Sequence, residues 1–295
     1  MDQRKSVGML SKGFLYRQRL GYGLGDFACN LIWQVISLYL LYFYTDVVHL
    51  GAKSIAVMFM ICRVIDAITD VLVGFAIDKT KTRWGKSRPW FLFGAVPFAV
   101  AAFLAFSVPD ISPDGKLLYA YATYIFLSFM YTVVNIPLAS ILPTLTDDMN
   151  ERTVLATWRK FLAFLGSSIV SATALVQVTG RGNEALGFRI VMGMFGIVGC
   201  VCFFLTFFLV RENNLQENIK SATLKEMIMS LGKNTPWKVF AINIMFMWTG
   251  YFLQSSALVY YYKYYIGSTS MASMVATIMT VIPMAANLTV AVLAK

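Results

Sequence analysis

Charge is scarce in this sequence. Asp, Glu, Lys and Arg make up 14% of its 295 residues, about half of the roughly one quarter usual in a soluble domain. So little charge excludes a large water-exposed domain. Histidine occurs once, at His49, just outside the first apolar span, where it reads as an interfacial residue. Cysteine occurs four times, at Cys29, Cys62, Cys200 and Cys202, always inside apolar stretches. Their spacing is that of neither a metal site nor a disulfide framework. No nucleophile–base arrangement, zinc spacing or phosphate loop is present, so an enzyme is not expected. The N-terminus has no short apolar core followed by a small-residue cleavage site, so no removable signal peptide is expected.

What the sequence does have is apolar length. Hydrophobic residues make up 58% of it, in recurring runs of about 20 residues, enough to cross a bilayer as helices. Eight spans are predicted: Gly23–Tyr44, Ser54–Ile77, Pro89–Val108, Leu117–Pro143, Val154–Val178, Phe188–Val210, Trp237–Tyr262 and Thr269–Leu293. The fold class is therefore all-α, a polytopic membrane helical bundle. The connections are short except for Arg211–Pro236. That connection reads as a cytoplasmic linker (211–236) between an N-terminal six-helix half (1–210) and the first two helices of a C-terminal half (237–295). Within it Leu224, Met227, Ile228 and Leu231 recur at i, i+3, i+4, i+7. This is the spacing of an amphipathic helix, lying on the membrane surface or packed on the bundle.

The net charge of +10 could point to nucleic acid, but the basic residues sit mostly in alternate loops. One set of loops holds fifteen: Arg4, Lys5, Lys12, Arg17, Arg19, Lys79, Lys81, Arg83, Lys86, Arg88, Arg152, Arg211, Lys220, Lys225 and Lys233. The opposite set holds four: Lys53, Lys116, Arg181 and Lys263. This asymmetry predicts a cytoplasmic N-terminus, a lipid bilayer as the partner and no nucleic-acid role.

Orientation fixes depth. Asn30, Asp70, Asn135 and Lys160 come from four spans, yet each lies roughly 9–12 Å below the cytoplasmic edge at 1.5 Å rise per residue. Asp66 is one turn deeper. Arg63, Asp66 and Asp70 form one helical stripe; Asp26, Asn30 and Gln34 form a second. Ser128, Thr132 and Asn135 align on the fourth span, and Thr157, Lys160, Ser167 and Ser171 on the fifth. Such faces must turn away from lipid. Counting Asp26, Arg63, Asp66, Asp70, Arg159 and Lys160 together gives no net charge, so a purely structural cluster is one reading. The second span by itself holds two carboxylates and one guanidinium. Two carboxylates one turn apart repel in a low dielectric, and a small cation or a proton would relieve this, which is the other reading.

Other patterns are weaker. GYGLGD (Gly21–Asp26) looks like part of a dinucleotide loop, but it opens an apolar span with no strand before it, so close helix packing explains it better. The tyrosine-rich stretch Tyr260–Tyr265 reads as an interfacial belt rather than a sugar platform. Trp33 and Trp158 suit either a sugar ring or a lipid or helix contact.

Four segments then appear in order: YTDVV (Tyr44–Val48), RVIDAITD (Arg63–Asp70), DKTKTRWGKSRPW (Asp78–Trp90) and YTVVNIP (Tyr131–Pro137). Together they resemble the glycoside–pentoside–hexuronide:cation symporters, the melibiose-carrier group of the major facilitator superfamily. The likeness runs from about Leu20 to the end. It implies sugar uptake coupled to Na+, H+ or Li+ by alternating access in the inner membrane, with no cofactor beyond the coupling ion. It assigns the cation, and sodium if that is the ion, to Asp66 and Asp70, with Thr132 as a further oxygen ligand. Asn30, Asn135 and Lys160 would face the sugar, and Arg63 would hold the aspartates. Gly74, Asp78, Lys79 and Arg83 would belong to the cytoplasmic gate element.

Two departures from that family pattern carry meaning. Melibiose-type carriers have acidic residues where this chain has Asn30 and Asn135, while the Asn pattern resembles the glucuronide and pentoside branches. Fewer negative charges beside Lys160 would suit a carboxylate-bearing sugar. The sequence also stops at Lys295, after eight of the family's roughly twelve helices. It is thus expected to be a truncated product or a piece of a split carrier, unable to complete a transport cycle alone. A non-transporting remnant or assembly subunit is the alternative function.

Overall fold

Backbone in lipid has no water to bond, so its N–H and C=O groups are satisfied within helices. The computed structural model describes residues 12–212, 229–230 and 232–293, and long helices account for most of them. These are α1 (Lys12–Tyr42), α2 (Ala52–Lys79), α3 (Arg88–Ala105), α4 (Pro113–Ser140), α6 (Met149–Thr179), α7 (Glu184–Leu209), α8 (Thr235–Tyr260) and α9 (Thr269–Leu293). A short α5 (Leu142–Leu145) follows α4. Among the described residues there is no strand, only an isolated bridge between Thr82 and Gly85. The chain is an all-α membrane bundle, as its composition required.

Each predicted span corresponds to one long helix, but several helices overrun their apolar runs. α1 is already helical at Lys12, ahead of Gly23, and α6 begins at Met149 rather than Val154. Helices end where caps and turns supply partners for the terminal N–H groups, not where hydropathy falls. The side chains of Asp148, Asn183 and Asn234 accept such N–H bonds at the starts of α6, α7 and α8. By apolarity alone, six described helices qualify as membrane-crossing. The other two long ones, α2 and α8, are polar in places: α2 carries Arg63, Asp66 and Asp70, and α8 carries Asn243, Thr249, Gln254, Ser255 and Ser256. The amphipathic positions Leu224, Met227, Ile228 and Leu231 lie outside the described residues.

α1 is the hub. It packs on α4, α6, α7 and α8, while α3 joins α4 to α7, α2 leans on α4, and α9 lies along α6. The glycines of GYGLGD make this crowding feasible. A β-carbon on Gly21 would meet Leu209 of α7, and one on Gly25 would meet Leu138 of α4. The motif serves helix packing, not phosphate binding. α1 and α8 each end in a π-helical turn, Phe43–Val47 and Tyr261–Ile266. These turns meet: Thr45 Oγ1 lies 2.7 Å from Tyr260 OH, Tyr264 donates to Asp46, and Lys263 donates to Tyr42. The tyrosine-rich stretch therefore clasps the end of α1.

Candidate cation and substrate site

The charged face of α2 meets the hydroxyl face of α4. Ser128 Oγ donates to Asp66 Oδ1 at 2.5 Å, and one turn along, Thr132 Oγ1 donates to Asp70 Oδ1 at 2.8 Å. Two carboxylates at i, i+4 thus face two hydroxyls at the same spacing, which is why the stripes match. Arg63 Nη1 is 3.4 Å from Asp66 Oδ2, and its Nη2 donates to Tyr124 OH at 3.0 Å. Arg63 bonds Asp66 but not Asp70, contrary to the expectation that it would hold both. Asp70 is seven residues along, about two turns from Arg63. Among the described residues Asp70 has no cationic partner; its carboxylate receives the Thr132 hydroxyl alone. Each hydroxyl keeps its own lone pairs while donating, so carboxylate and hydroxyl oxygens together form a hard-ligand set. No three His, Cys, Asp or Glu side chains converge among the described residues, so these oxygens do not make a carboxylate cage.

The second polar cluster joins α1 to α6. Arg159 Nε donates to Asp26 Oδ2 at 2.9 Å, and its Nη1 to Tyr22 OH at 3.1 Å. Asn30 Nδ2 donates to the Asp26 carbonyl at 2.8 Å and to Asp26 Oδ1 at 3.3 Å, while Asn30 Oδ1 accepts from Ser167 at 3.3 Å. Deeper still, Gln34 donates to Ser171 at 3.2 Å. Lys160 sits on the same α6 stripe as Ser167 and Ser171, but its side chain is exposed and has no partner among the described residues.

A third group links the two. Asn135 Nδ2 donates to Tyr131 OH at 3.1 Å and reaches Cys29 Sγ at 3.9 Å. The Tyr131 ring stacks on Trp33 with centroids 4.4 Å apart, and Arg63 lies over Trp33, 5.8 Å from its ring centre. Trp33 is thus a helix contact of α1 with α4. Beside it a cavity of about 340 Å³ opens between α1, α2, α4 and α8, lined by Trp33, Phe59, Arg63, Tyr124 and Thr249 among others. Its size is within the range of small-molecule sites.

Residues 21–295 match the model of a family described as MFS/sugar transport protein. The chain belongs to that family. The MFS/sugar transport proteins are transporters, not enzymes. An isoprimeverose transporter of Lactiplantibacillus pentosus is 38% identical over 265 residues, covering 88% of this chain and 55% of its own length. A putative glycoside/cation symporter of Escherichia coli (strain K12) is 37% identical over 87% of this chain and 56% of its own. A glucuronide carrier protein homolog of the same organism is 31% identical, again over 87% of this chain and 56% of its own. The chain spans about half the length of the curated relatives it matches.

In this MFS/sugar transport protein the loop expected to act as a gate is held by a residue that sequence reasoning missed. The Glu212 carboxylate, just beyond α7, accepts from the backbone N–H groups of Lys86, Ser87 and Arg88 at 2.8–2.9 Å. Arg88 in turn donates to the Phe207 carbonyl at 2.7 and 3.1 Å. Gly85, at φ 106°, lies so close to Glu212 that a β-carbon there would come within 2.6 Å of the carboxyl. Gly74 has open space beside it, Arg83 lies over Trp84, and the exposed side chains of Asp78 and Lys79 have no partner among the described residues. Ser128 and Arg159 were also missed as site residues. Ser128 shares a stripe with Thr132, so its i−4 spacing was the available signal; nothing local marks Glu212.

Proposed function

We propose that this chain is the cation- and sugar-binding part of a sugar:cation symporter. It works by alternating access in the inner (plasma) membrane, with its N-terminus in the cytoplasm. The observation that carries the reading is the Asp70 carboxylate. It is exposed on a membrane helix, joined to a hydroxyl and, among the described residues, to no positive group, and an ionised carboxylate at membrane depth is costly unless a charge visits it. Asp66, held by Arg63 only at 3.4 Å, and Thr132 complete an oxygen set for Na+, Li+ or a proton. The coupling ion is the only cofactor required. The basic residues on the loops assigned to the cytoplasm support the orientation.

Asn30, Asn135 and Lys160 form the sugar side. The carbonyl oxygen of Asn135 and a remaining lone pair on Asn30 Oδ1 accept from sugar hydroxyls, and the unpartnered Lys160 ammonium donates. An exposed ammonium on the α6 stripe that also carries Ser167, the partner of Asn30, favours a substrate carrying a carboxylate, so we assign a hexuronide or its glycoside. Gly74, Asp78, Lys79 and Arg83 act as the cytoplasmic gate, with Glu212 as its anchor.

Counterflow in vesicles bearing a full-length carrier that contains this chain, with neutral and acidic glycosides in the presence and absence of sodium, tests this. Uptake that prefers the acidic sugars and rises with sodium, lithium or falling pH is the expected result. Preference for neutral sugars would remove the hexuronide assignment. Exchange indifferent to all three cations would remove the symport assignment.

A further inference from the structure

Asp26 is the most buried carboxylate of the polar cluster, 4% exposed on a membrane helix, and the proposed function gives it no task. An ionised group in that position must repay a large desolvation cost. Its partners show what it does. Oδ2 takes the Arg159 guanidinium at 2.9 Å, and Oδ1 and the main-chain oxygen both take the Asn30 amide. With its amide nitrogen held by two Asp26 oxygens, Asn30 offers a ligand the lone pair of its carbonyl oxygen that Ser167 does not use.

We propose that Asp26 is a positioning and specificity-determining residue, which orients the Asn30 amide and cancels the charge of Arg159 beside the substrate. The inference rests on the sugar-site reading of Asn30. Asp26 has two separable effects. As an acceptor, it fixes the polarity that Asn30 presents: an acceptor for a ligand hydroxyl. As a charge, it keeps Arg159 from acting as a free cation, so Arg159 adds no net positive potential for an acidic ligand to meet.

The two effects predict opposite signs for the two partners. Asp26→Asn leaves Arg159 uncompensated and favours an anionic ligand. Arg159→Met leaves Asp26 uncompensated and disfavours it. Asp26→Leu combined with Arg159→Met restores neutrality but releases the Asn30 amide. Replacing a buried ion pair by apolar side chains is commonly tolerated, so the double variant is the safeguard if a single one fails to fold.

The test is equilibrium binding of 4-nitrophenyl β-D-glucuronide and 4-nitrophenyl β-D-glucoside, which differ chiefly in one carboxylate, to the purified protein in lipid nanodiscs. We expect the glucuronide-to-glucoside affinity ratio to rise about tenfold in Asp26→Asn and to fall about tenfold in Arg159→Met, the scale of one unscreened charge at such range. In the double variant the ratio should return to the parent value while both affinities drop together. A parent protein that binds the probes, with variants that leave the ratio unchanged or move it in the same direction, would overturn this inference and leave the sugar site standing. A double variant that binds both probes as tightly as the parent would overturn the orienting role. Failure of the parent to bind either probe would overturn the sugar-site reading and this inference with it.

Discussion

Glu212 is a single residue with consequences for a whole loop. Its carboxylate satisfies three N–H groups at the start of α3, where the helix offers partial positive charge. Glu212→Ala is expected to lower stability by roughly 1.5–3 kcal/mol, the range for hydrogen bonds to a charged group. The measurement is thermal unfolding in detergent, and Glu212→Gln should recover part of the loss. Gly85→Ala should cost as much again, because φ there is 106° and the methyl would enter the Glu212 carboxyl. At this scale the sequence was legible in proportion to how local the signal was. Asp66 and Asp70 stood out because charge in an apolar run is conspicuous, while Thr132 was singled out from its stripe-mates Ser128 and Asn135 as a cation ligand only by the family resemblance. Glu212 bonds a loop more than 120 residues earlier, and no periodicity announces such a pairing. Arg159 and Lys160 are adjacent and chemically alike, and only the rotation of α6 separates the one paired with Asp26 from the one left free.

Elements meet where side chains are small. Gly187 of α7 approaches α6 so closely that a β-carbon would lie 2.8 Å from the Val178 backbone, whereas nothing lies within 4 Å of such an atom on Gly250 of α8. Gly187→Ala should destabilise by about 1–3 kcal/mol, the cost of overpacking a closed contact. Gly250→Ala should be neutral or slightly stabilising, since alanine is the better helix former. Thermal unfolding of the two variants side by side checks the difference; equal effects would mean that the α6–α7 contact is looser than described. The helices themselves were readable from hydropathy and loop charge, because in lipid each segment must satisfy its own backbone. Their true ends were not, since α1 and α6 extend into polar sequence held by caps and by cross-helix pairs such as Arg19–Glu151 at 2.6 Å. The clasp of the two π-helical turns was also hidden, because tyrosine near a membrane surface is common for reasons unrelated to pairing.

Across the whole molecule, one face of α2 and one face of α1 each carry charge into the membrane, and the two differ in completeness. The α1 charge is closed: Asp26 has Arg159, and Asn30 and Ser167 finish the network. The α2 charge is open at Asp70. A closed pair organises structure, while an open carboxylate calls for an ion. Between them the Trp33–Tyr131 stack touches Arg63 through Trp33 and Asn135 through the Tyr131 hydroxyl, so contacts run from the carboxylate face of α2 to the Asn135 amide, the groups we propose for cation and sugar. Any effect of cation on sugar must be matched by an equal effect of sugar on cation. The most direct measurement is therefore the affinity of 4-nitrophenyl β-D-glucuronide as a function of sodium, lithium and proton concentration, in the parent protein and in Asp70→Asn. We expect a saturable rise in affinity with at least one of these cations in the parent, and its loss in Asp70→Asn with the cation-free affinity retained. Identical cation dependence in the two proteins, or none in the parent, would contradict the assignment of Asp70 to the coupling ion.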